Sequence, residues 1–389
     1  MQTLSARWFG AGHSTATDSA KAGSEATAEA LAGRTPAVVF VFAAAQHDLP
    51  ALIGAVRAEA GDGPVIVGGT TMGELSAAGV TTHGVATAAF GGAGFTVRAT
   101  AAQIGPDGHR AAGAQVAAGA AGLDRAHRAL LLLFDGFSGD PDSVVRGAFS
   151  VVGAGIPLVG GLTADGQRFR QSAQFFGVGS AAEVLTNAVV GVAIGSDRPL
   201  SIGIAHGWRR TEPAMIATKS RESKIYEIDG RPALDVLAER LGLEATAEAL
   251  FRDGKIHVLG LARRSGEDAR MVSVADDEER SIFCGSEVPQ GALFWLMEAE
   301  NEALLEGARQ SCAGALAGLG GETPLGVLAF DCGGRLQTLG ESGTRQEVAA
   351  IRSVLGDTPF AGFYTMGEVA RARGSLGMHG LTLVTLAMA

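Results

Sequence analysis

A short pattern stated three times constrains this chain more than any other feature. The copies are Pro64-Val-Ile-Val-Gly-Gly-Thr-Thr71-Met72-Gly73-Glu74, Pro157-Leu-Val-Gly-Gly-Leu-Thr163-Ala-Asp165-Gly166 and Pro359-Phe-Ala-Gly-Phe363-Tyr364-Thr365-Met366-Gly367-Glu368. Each reads as a short apolar strand running into a Gly/Thr turn. A second apolar strand precedes each: Val38-Val-Phe-Val-Phe42, Leu130-Leu-Leu-Leu-Phe134 and Leu325-Gly-Val-Leu-Ala-Phe330. A strand–helix–strand–turn unit that recurs in this way points to internal duplication. Turns at strand ends that carry Thr, Asp and Glu are where small-molecule pockets are built.

The expected fold is therefore mixed α/β, with duplicated units and sheets layered between helices. Helices are expected over 18–31, 49–60, 111–121, 143–152 and 233–241, and a long one over 291–319. Expected strands include 38–43, 65–67, 85–90, 95–100, 189–194, 201–206, 256–262, 270–274 and 281–284. The organisation expected is a helical N-terminal segment (1–34), a domain of two repeated units (35–225) and a C-terminal domain (226–389).

Composition excludes several classes. The net charge is −10 and the 31 Lys and Arg form no stripe, so a nucleic-acid partner is not expected. Three cysteines without metal-like spacing point to reduced thiols and a cytoplasmic location. No apolar run is long enough to span a membrane, so no insertion is expected. No metal-ligand constellation is present. Gly136-Phe137-Ser138-Gly139-Asp140 lacks the spacing of a nucleophile elbow and reads as a helix-capping turn.

The residues expected at a ligand site are Thr71, Glu74, Thr163, Asp165, Phe363, Tyr364, Thr365 and Glu368 from the turns, with His206, Trp208, Arg209 and His379 from two further clusters. In His206-Gly-Trp208-Arg209-Arg210, tryptophan offers a flat wall and arginine suits a carboxylate or phosphate. Cys284, Cys312 and Cys332 are expected to be structural thiols. An enzyme would use Glu368 or Asp165 as general base near Cys332 or Tyr364.

The order of these motifs resembles the FIST family, intracellular signal-transduction sensors with an N-terminal and a C-terminal FIST domain. The resemblance rests on Val67-Gly-Gly-Thr-Thr71-Met72-Gly73-Glu74, Val159-Gly-Gly-Leu-Thr163-Ala-Asp165-Gly166, His206-Gly-Trp208, Glu227-Ile-Asp-Gly-Arg-Pro-Ala-Leu234, Phe363-Tyr364-Thr365-Met366-Gly367-Glu368 and Met378-His379-Gly380-Leu381-Thr382. It implies a bacterial, non-catalytic sensor of amino acids or small carboxylates that signals through a separate partner. Some members are similar to haem-binding nitric-oxide sensors that act on a histidine kinase, which would need His206, His379, His83 or His257 as axial ligand. Gly380 stands where the family often has Asn.

Overall fold

The first unit shows how local chemistry builds the repeat. Asp18 caps the helix Ser19–Leu31 by accepting the Lys21 amide, and Asp48 caps Leu49–Ala60 through the Ala51 amide, with Pro50 in its first turn. Val38–Ala43 is buried along its whole length, as an uninterrupted apolar strand demands. It pairs parallel with Gly63–Thr70, and the crossover is the capped helix between them. A hairpin (Gly73–Ser76 and Gly79–Thr81) and a return strand (Val85–Gly91) complete the unit. This computed structural model describes residues 6–211, 213–263, 266–371 and 377–389.

The same element order recurs from Phe95–Gln103 to Ala188–Ser196, and again from Leu200–Ala205 to Leu383–Met388. The three resulting sheets are six-stranded, and none is made by one unit alone. The hairpin of the second unit (Gln174–Gly179, Glu183–Leu185) pairs with Gly63–Thr70 of the first. The third unit's hairpin (Glu368–Arg371, Gly377–His379) pairs with Leu158–Thr163 of the second. The first unit's hairpin pairs with Phe360–Thr365 of the third. Each unit thus lends one hairpin to a neighbour in a closed cycle, and separating any two units breaks strand pairing.

The sheets share one core. Val38, Phe40 and Phe42 meet Leu131, Leu133, Leu328, Phe330 and Phe363 from the other two sheets. Phe42 stacks on Phe363 with centroids 4.7 Å apart, and Phe330 meets Phe363 edge-on at 5.9 Å. The opposite face, Val39 and Val41, lies under the unit's own helices against Ala22, Ala26 and Leu52. Helices therefore cover the outside of a three-sheet body.

One glycine per unit sits at the same place. A Cβ on Gly68, Gly160 or Gly362 would lie 1.8, 2.0 or 1.8 Å from the carbonyl oxygen of Val41, Leu132 or Ala329 on the adjacent parallel strand. The neighbour is backbone and cannot turn aside. Gly160→Ala and Gly362→Ala are each expected to cost about 3 kcal/mol or more, at the top of the overpacking range. A urea midpoint unchanged from the parent protein would contradict this.

The third unit carries an insert between its first strand and its first helix, Asn301–Ala317. Met215–Arg221, Lys224–Ile228, Ser281–Cys284, Gly266–Asp276, His257–Arg263 and Leu293–Glu298 pair in sequence, and the last pairs back to the first. The ring is a closed barrel, filled by Met215, Ile225, Leu259, Ile282 and Phe294 and plugged by Leu234 and Leu237 of helix Ala233–Leu241.

One expectation is corrected, and two placements bear on the expected bounds. The long helix over 291–319 is a barrel strand, Leu293–Glu298, followed by the helix Asn301–Ala317. Trp8–Ser14 is the first strand of the first unit, and the helix Ser19–Leu31 follows it. Residue 225, the expected boundary, lies inside the strand Lys224–Ile228. The turn that suggested it, Asp229-Gly230, closes a short hairpin in the barrel, with φ of 51° and 76°.

Candidate functional site

The three bends come together. The Met72 amide donates to the Tyr364 carbonyl at 2.9 Å, the Ala164 amide to Thr70 at 2.9 Å and the Met366 amide to Leu162 at 3.1 Å. These are equivalent atoms of the three copies, and the bonds close a ring. Met72, Ala164 and Tyr364 are part of one apolar cluster, with Met366 packed against it.

The polar side chains of the bends are consumed by the scaffold. Thr71 Oγ1 donates to Glu74, whose other oxygen accepts the Gly84 amide at 3.0 Å, just before the return strand. Thr365 Oγ1 likewise donates to Glu368, which accepts the Thr382 amide at 3.2 Å and its hydroxyl at 2.8 Å. In the second unit Gln174 replaces the acid, bonding Thr163 Oγ1 at 2.7 Å and the Ala188 amide at 3.1 Å. Each unit thus ties its bend to its return strand. Burial pushes Glu74 up to about 8, only partly offset by Thr71 and the Gly84 amide, and pushes Glu368 up to about 7. Asp165 accepts the amides of Phe169, Arg170 and Gln171. Phe363 lies in the central core.

Behind the third bend lies a buried charge network. Arg335 Nε donates to Asp331 Oδ1 at 2.7 Å, Nη1 to the His206 carbonyl at 2.7 Å and Nη2 to the Leu304 carbonyl at 3.1 Å and to Glu347. Tyr364 donates its hydroxyl to Glu347 Oε2 at 2.6 Å. Burial, and then the Glu347 charge, hold Asp331 well above the carboxylate range. Two acids thus surround one guanidinium. Burial and the nearby Glu368 charge raise the Cys332 thiol well above its usual range, opposite to what a nucleophile requires. Burial also pushes Cys284 and Cys312 up to about 12, as befits structural thiols.

A second cluster of buried charges lies where the barrel meets the body. Barrel strand Gly266–Asp276 runs beside the last strand of the third unit's hairpin. Asp268 is central: His379 Nδ1 stands 3.4 Å from its Oδ1, Arg263 Nε donates to its Oδ2 at 2.9 Å, and Arg270 Nη2 lies 3.6 Å from that oxygen. Burial alone would raise Asp268, but His379, Arg270 and Arg263 outweigh it and hold it below the ordinary carboxylate range. Arg270 also donates to the carbonyls of Ala269 at 3.0 Å and Glu287 at 3.4 Å, and burial lowers its pKa. Arg210 pairs with Glu267 and lies over the Trp295 ring. On the body side Asp142 accepts the Glu287 amide, and Arg146 donates to the Glu287 carboxylate at 2.8 Å.

Of the sequence-expected residues, His379 belongs to this junction and His206 and Trp208 border it. The Trp208 amide donates to His206 Nδ1 at 2.9 Å, and its indole donates to the Leu381 carbonyl at 3.1 Å. Burial lowers the His206 pKa, opposed by Glu267. Arg209 is exposed. Sequence reasoning misses Asp268, Arg263, Arg270 and Arg335. A signal exists: Asp268 and Arg270, two residues apart, put opposite charges on one face of a strand. A shallow groove of about 380 Å³ lies elsewhere, beside the first unit's hairpin, with Ala77, Ala78, Arg345, Val348 and Arg352 in its lining; no expected residue borders it.

Three of the histidines expected as axial ligands already carry hydrogen bonds. His379 uses Nε2 toward the Ala370 carbonyl at 2.9 Å and Nδ1 toward Asp268. His257 Nε2 bonds the Leu250 carbonyl at 2.7 Å, and His206 Nδ1 takes the Trp208 amide. Iron on His379, or on Nε2 of His257, would displace one of these bonds.

A model of the FIST N domain matches residues 37–231, and a model of the FIST C domain matches residues 233–371. An uncharacterised protein of Mycobacterium tuberculosis (strain ATCC 25618 / H37Rv) is 28% identical over 386 residues, covering 96% of this chain and 97% of its own length. An uncharacterised protein of Mycobacterium bovis is 29% identical over 235 residues, 59% of each chain. One from Methanocaldococcus jannaschii is 24% identical over 159 residues, 38% of this chain and 30% of its own. No helix among the described residues is long and apolar enough to cross a membrane.

Proposed function

The chain belongs to the FIST family, and from that premise we propose that it is a sensor that binds a small zwitterion, an amino acid, at the barrel–body junction. Binding is the whole of its chemistry in this reading, and the signal passes to a separate protein. FIST domains are associated with small-ligand-binding sensors in signalling.

One observation carries the reading. The junction sets Arg263 and Arg270 beside Asp268 and His379, where the barrel meets the body. A zwitterion needs a cation for its carboxylate and an anion for its ammonium group at close quarters. Arginine suits the carboxylate because its planar fork matches two oxygens. Asp268, kept ionised by its neighbours, suits the ammonium group. Sites between modules are also where small ligands are commonly bound. The bends contribute rigidity: their polar groups are already satisfied, so they hold the junction strands in place rather than touch the ligand.

The test is a thermal-shift screen of the purified chain with amino acids and small dicarboxylates. A ligand at 100 times its Kd stabilises by about 2.7 kcal/mol, which raises Tm by a readable amount. The shift is expected to vanish in Arg263→Ala. Asp268→Asn is expected to lose it for amino acids and retain part of it for plain carboxylates. A folded protein that no ligand stabilises, or a shift indifferent to both substitutions, would overturn the proposal.

A further inference from the structure

The second unit departs from its sisters at one place. In the first and third units the bend runs straight into its hairpin, at Gly73 and Glu368; in the second, residues 166–173 intervene before Gln174. This loop ends in a knob. Phe169 is 57% exposed, and its φ of 53° is one that a bulky residue rarely adopts. The conformation is imposed from below. Asp165, 4% exposed, receives the amides of Phe169, Arg170 and Gln171 at 2.9, 2.9 and 3.0 Å. Phe137, from the neighbouring strand-to-helix turn, supports the ring edge-on at 6.3 Å. That turn is itself pinned by the Ser138 carbonyl bonding His109 Nε2.

Two arginines flank the ring. Arg168 and Arg170 are exposed and make no ion pair among the described residues, in a chain of net charge −10. A buried acid therefore holds an exposed aromatic in a disfavoured conformation between two unpaired cations. Hydration of the fold gains nothing from this arrangement. Exposed aromatic and arginine side chains on a preformed support are what anchor protein interfaces, because little conformational freedom is lost on contact.

We propose that the Arg168-Phe169-Arg170 knob is the docking point for a separate protein whose surface offers an apolar seat for the ring inside an acidic rim. An exposed ring between two exposed cations suits a protein surface rather than a small molecule. Charge complementarity favours an acidic rim, and it is expected to speed association and make binding fall as salt rises. The proposal rests on the reading that the chain signals through a separate partner.

The test begins with a photo-reactive benzophenone replacing the Phe169 ring in cells that express the chain. The protein it captures is then purified and titrated against the full-length chain. Phe169→Ser, and the double change Arg168→Glu with Arg170→Glu, are each expected to weaken binding at least tenfold. Phe169→Gly is expected to weaken binding equally while leaving Tm unchanged or raised, since glycine accepts φ of 53° freely. A fall in Tm for Phe169→Gly would mean that the ring serves the fold, and would overturn the proposal. So would capture of nothing, capture of a second copy of this chain only, or a captured protein that binds every variant alike. The ligand-induced thermal shift is expected to survive in all of these variants. Partner binding without a ligand shift would refute the ligand reading alone; a ligand shift without a partner would refute the docking proposal alone.

Discussion

Replacing Arg335 with methionine is expected to cost about 3 to 5 kcal/mol, enough to unfold much of the population of a marginal protein. The guanidinium is fully buried and joins Asp331, Glu347 and two backbone carbonyls, those of His206 and Leu304. Removing it leaves two buried acids facing each other and strips the turn before Trp208 of its anchor. The loss comes from stranded charge rather than from lost attraction. Adding Asp331→Leu and Glu347→Leu to Arg335→Met is therefore expected to restore part of the stability, because it removes the buried charge while the Tyr364 hydroxyl and the His206 and Leu304 carbonyls stay without their partners. Urea unfolding followed by circular dichroism checks both results. A single variant within about 1 kcal/mol of the parent would contradict the first, since breaking a buried pair typically costs several times that.

Stability is expected to fall as pH rises from about 5 to about 8.5. Glu74 and Glu368 have folded-state values near 8 and 7, against an ordinary value of 4.5. Below 4.5 both folded and unfolded chains hold these protons, and the contribution to stability is complete. Above it the unfolded chain releases them while the folded chain does not, so stability drains away until pH passes 7 for Glu368 and 8 for Glu74. A tenfold difference in proton affinity between the two states is worth about 1.4 kcal/mol, which puts the ceiling at roughly 3 to 5 kcal/mol per group. Glutamine resembles the neutral acid in shape and hydrogen bonding. Glu74→Gln and Glu368→Gln are expected to be nearly silent at pH 5 and to flatten the decline, together removing most of it. Urea midpoints at pH 5 and 8.5 decide this; equal slopes in parent and double variant would show that other groups carry the effect.

Local chemistry makes part of this fold legible. The helix Leu49–Ala60 follows from Asp48, Pro50 and Gly61, and the central strands follow from apolar runs that only a doubly covered sheet can bury. The bends are legible because Gly and Thr there answer to the backbone. Their pairing is not, since hairpin exchange joins residues far apart, such as Glu74 with Phe363. The stretch 291–319 misleads because Leu293, Met297, Leu304 and Ala308 fit helical spacing, yet Phe294 and Leu296 also alternate as a strand does. Trp8–Ser14 escapes notice for a related reason. Gly10 and Gly12 weaken its strand signal, but a Cβ there would lie 2.0 and 2.2 Å from carbonyls of Ala30 and Ala26 on the helix above it.

The site is legible in a different measure. Glu74 and Glu368 stand out because two copies carry the same acid, and that equivalence reflects a shared clamp on the return strand. Equal residues at equal places in a duplicated scaffold speak first to what every copy needs. Asp268, Arg263 and Arg270 belong to the inserted barrel, which has no sister copy. They meet His379 only because the insert folds back onto a hairpin roughly a hundred residues downstream, a contact that strand periodicity does not carry.

Hydrogen exchange across the barrel–body junction, with and without the amino acid that most raises Tm, tests the central claim most directly. Protection is expected to concentrate on His257–Arg263, on Gly266–Asp276 and on residues 377–382, and to disappear in Arg263→Ala. Protection confined to the groove beside Arg345 and Arg352, or spread evenly over the three-sheet body, would place the ligand elsewhere and contradict the account.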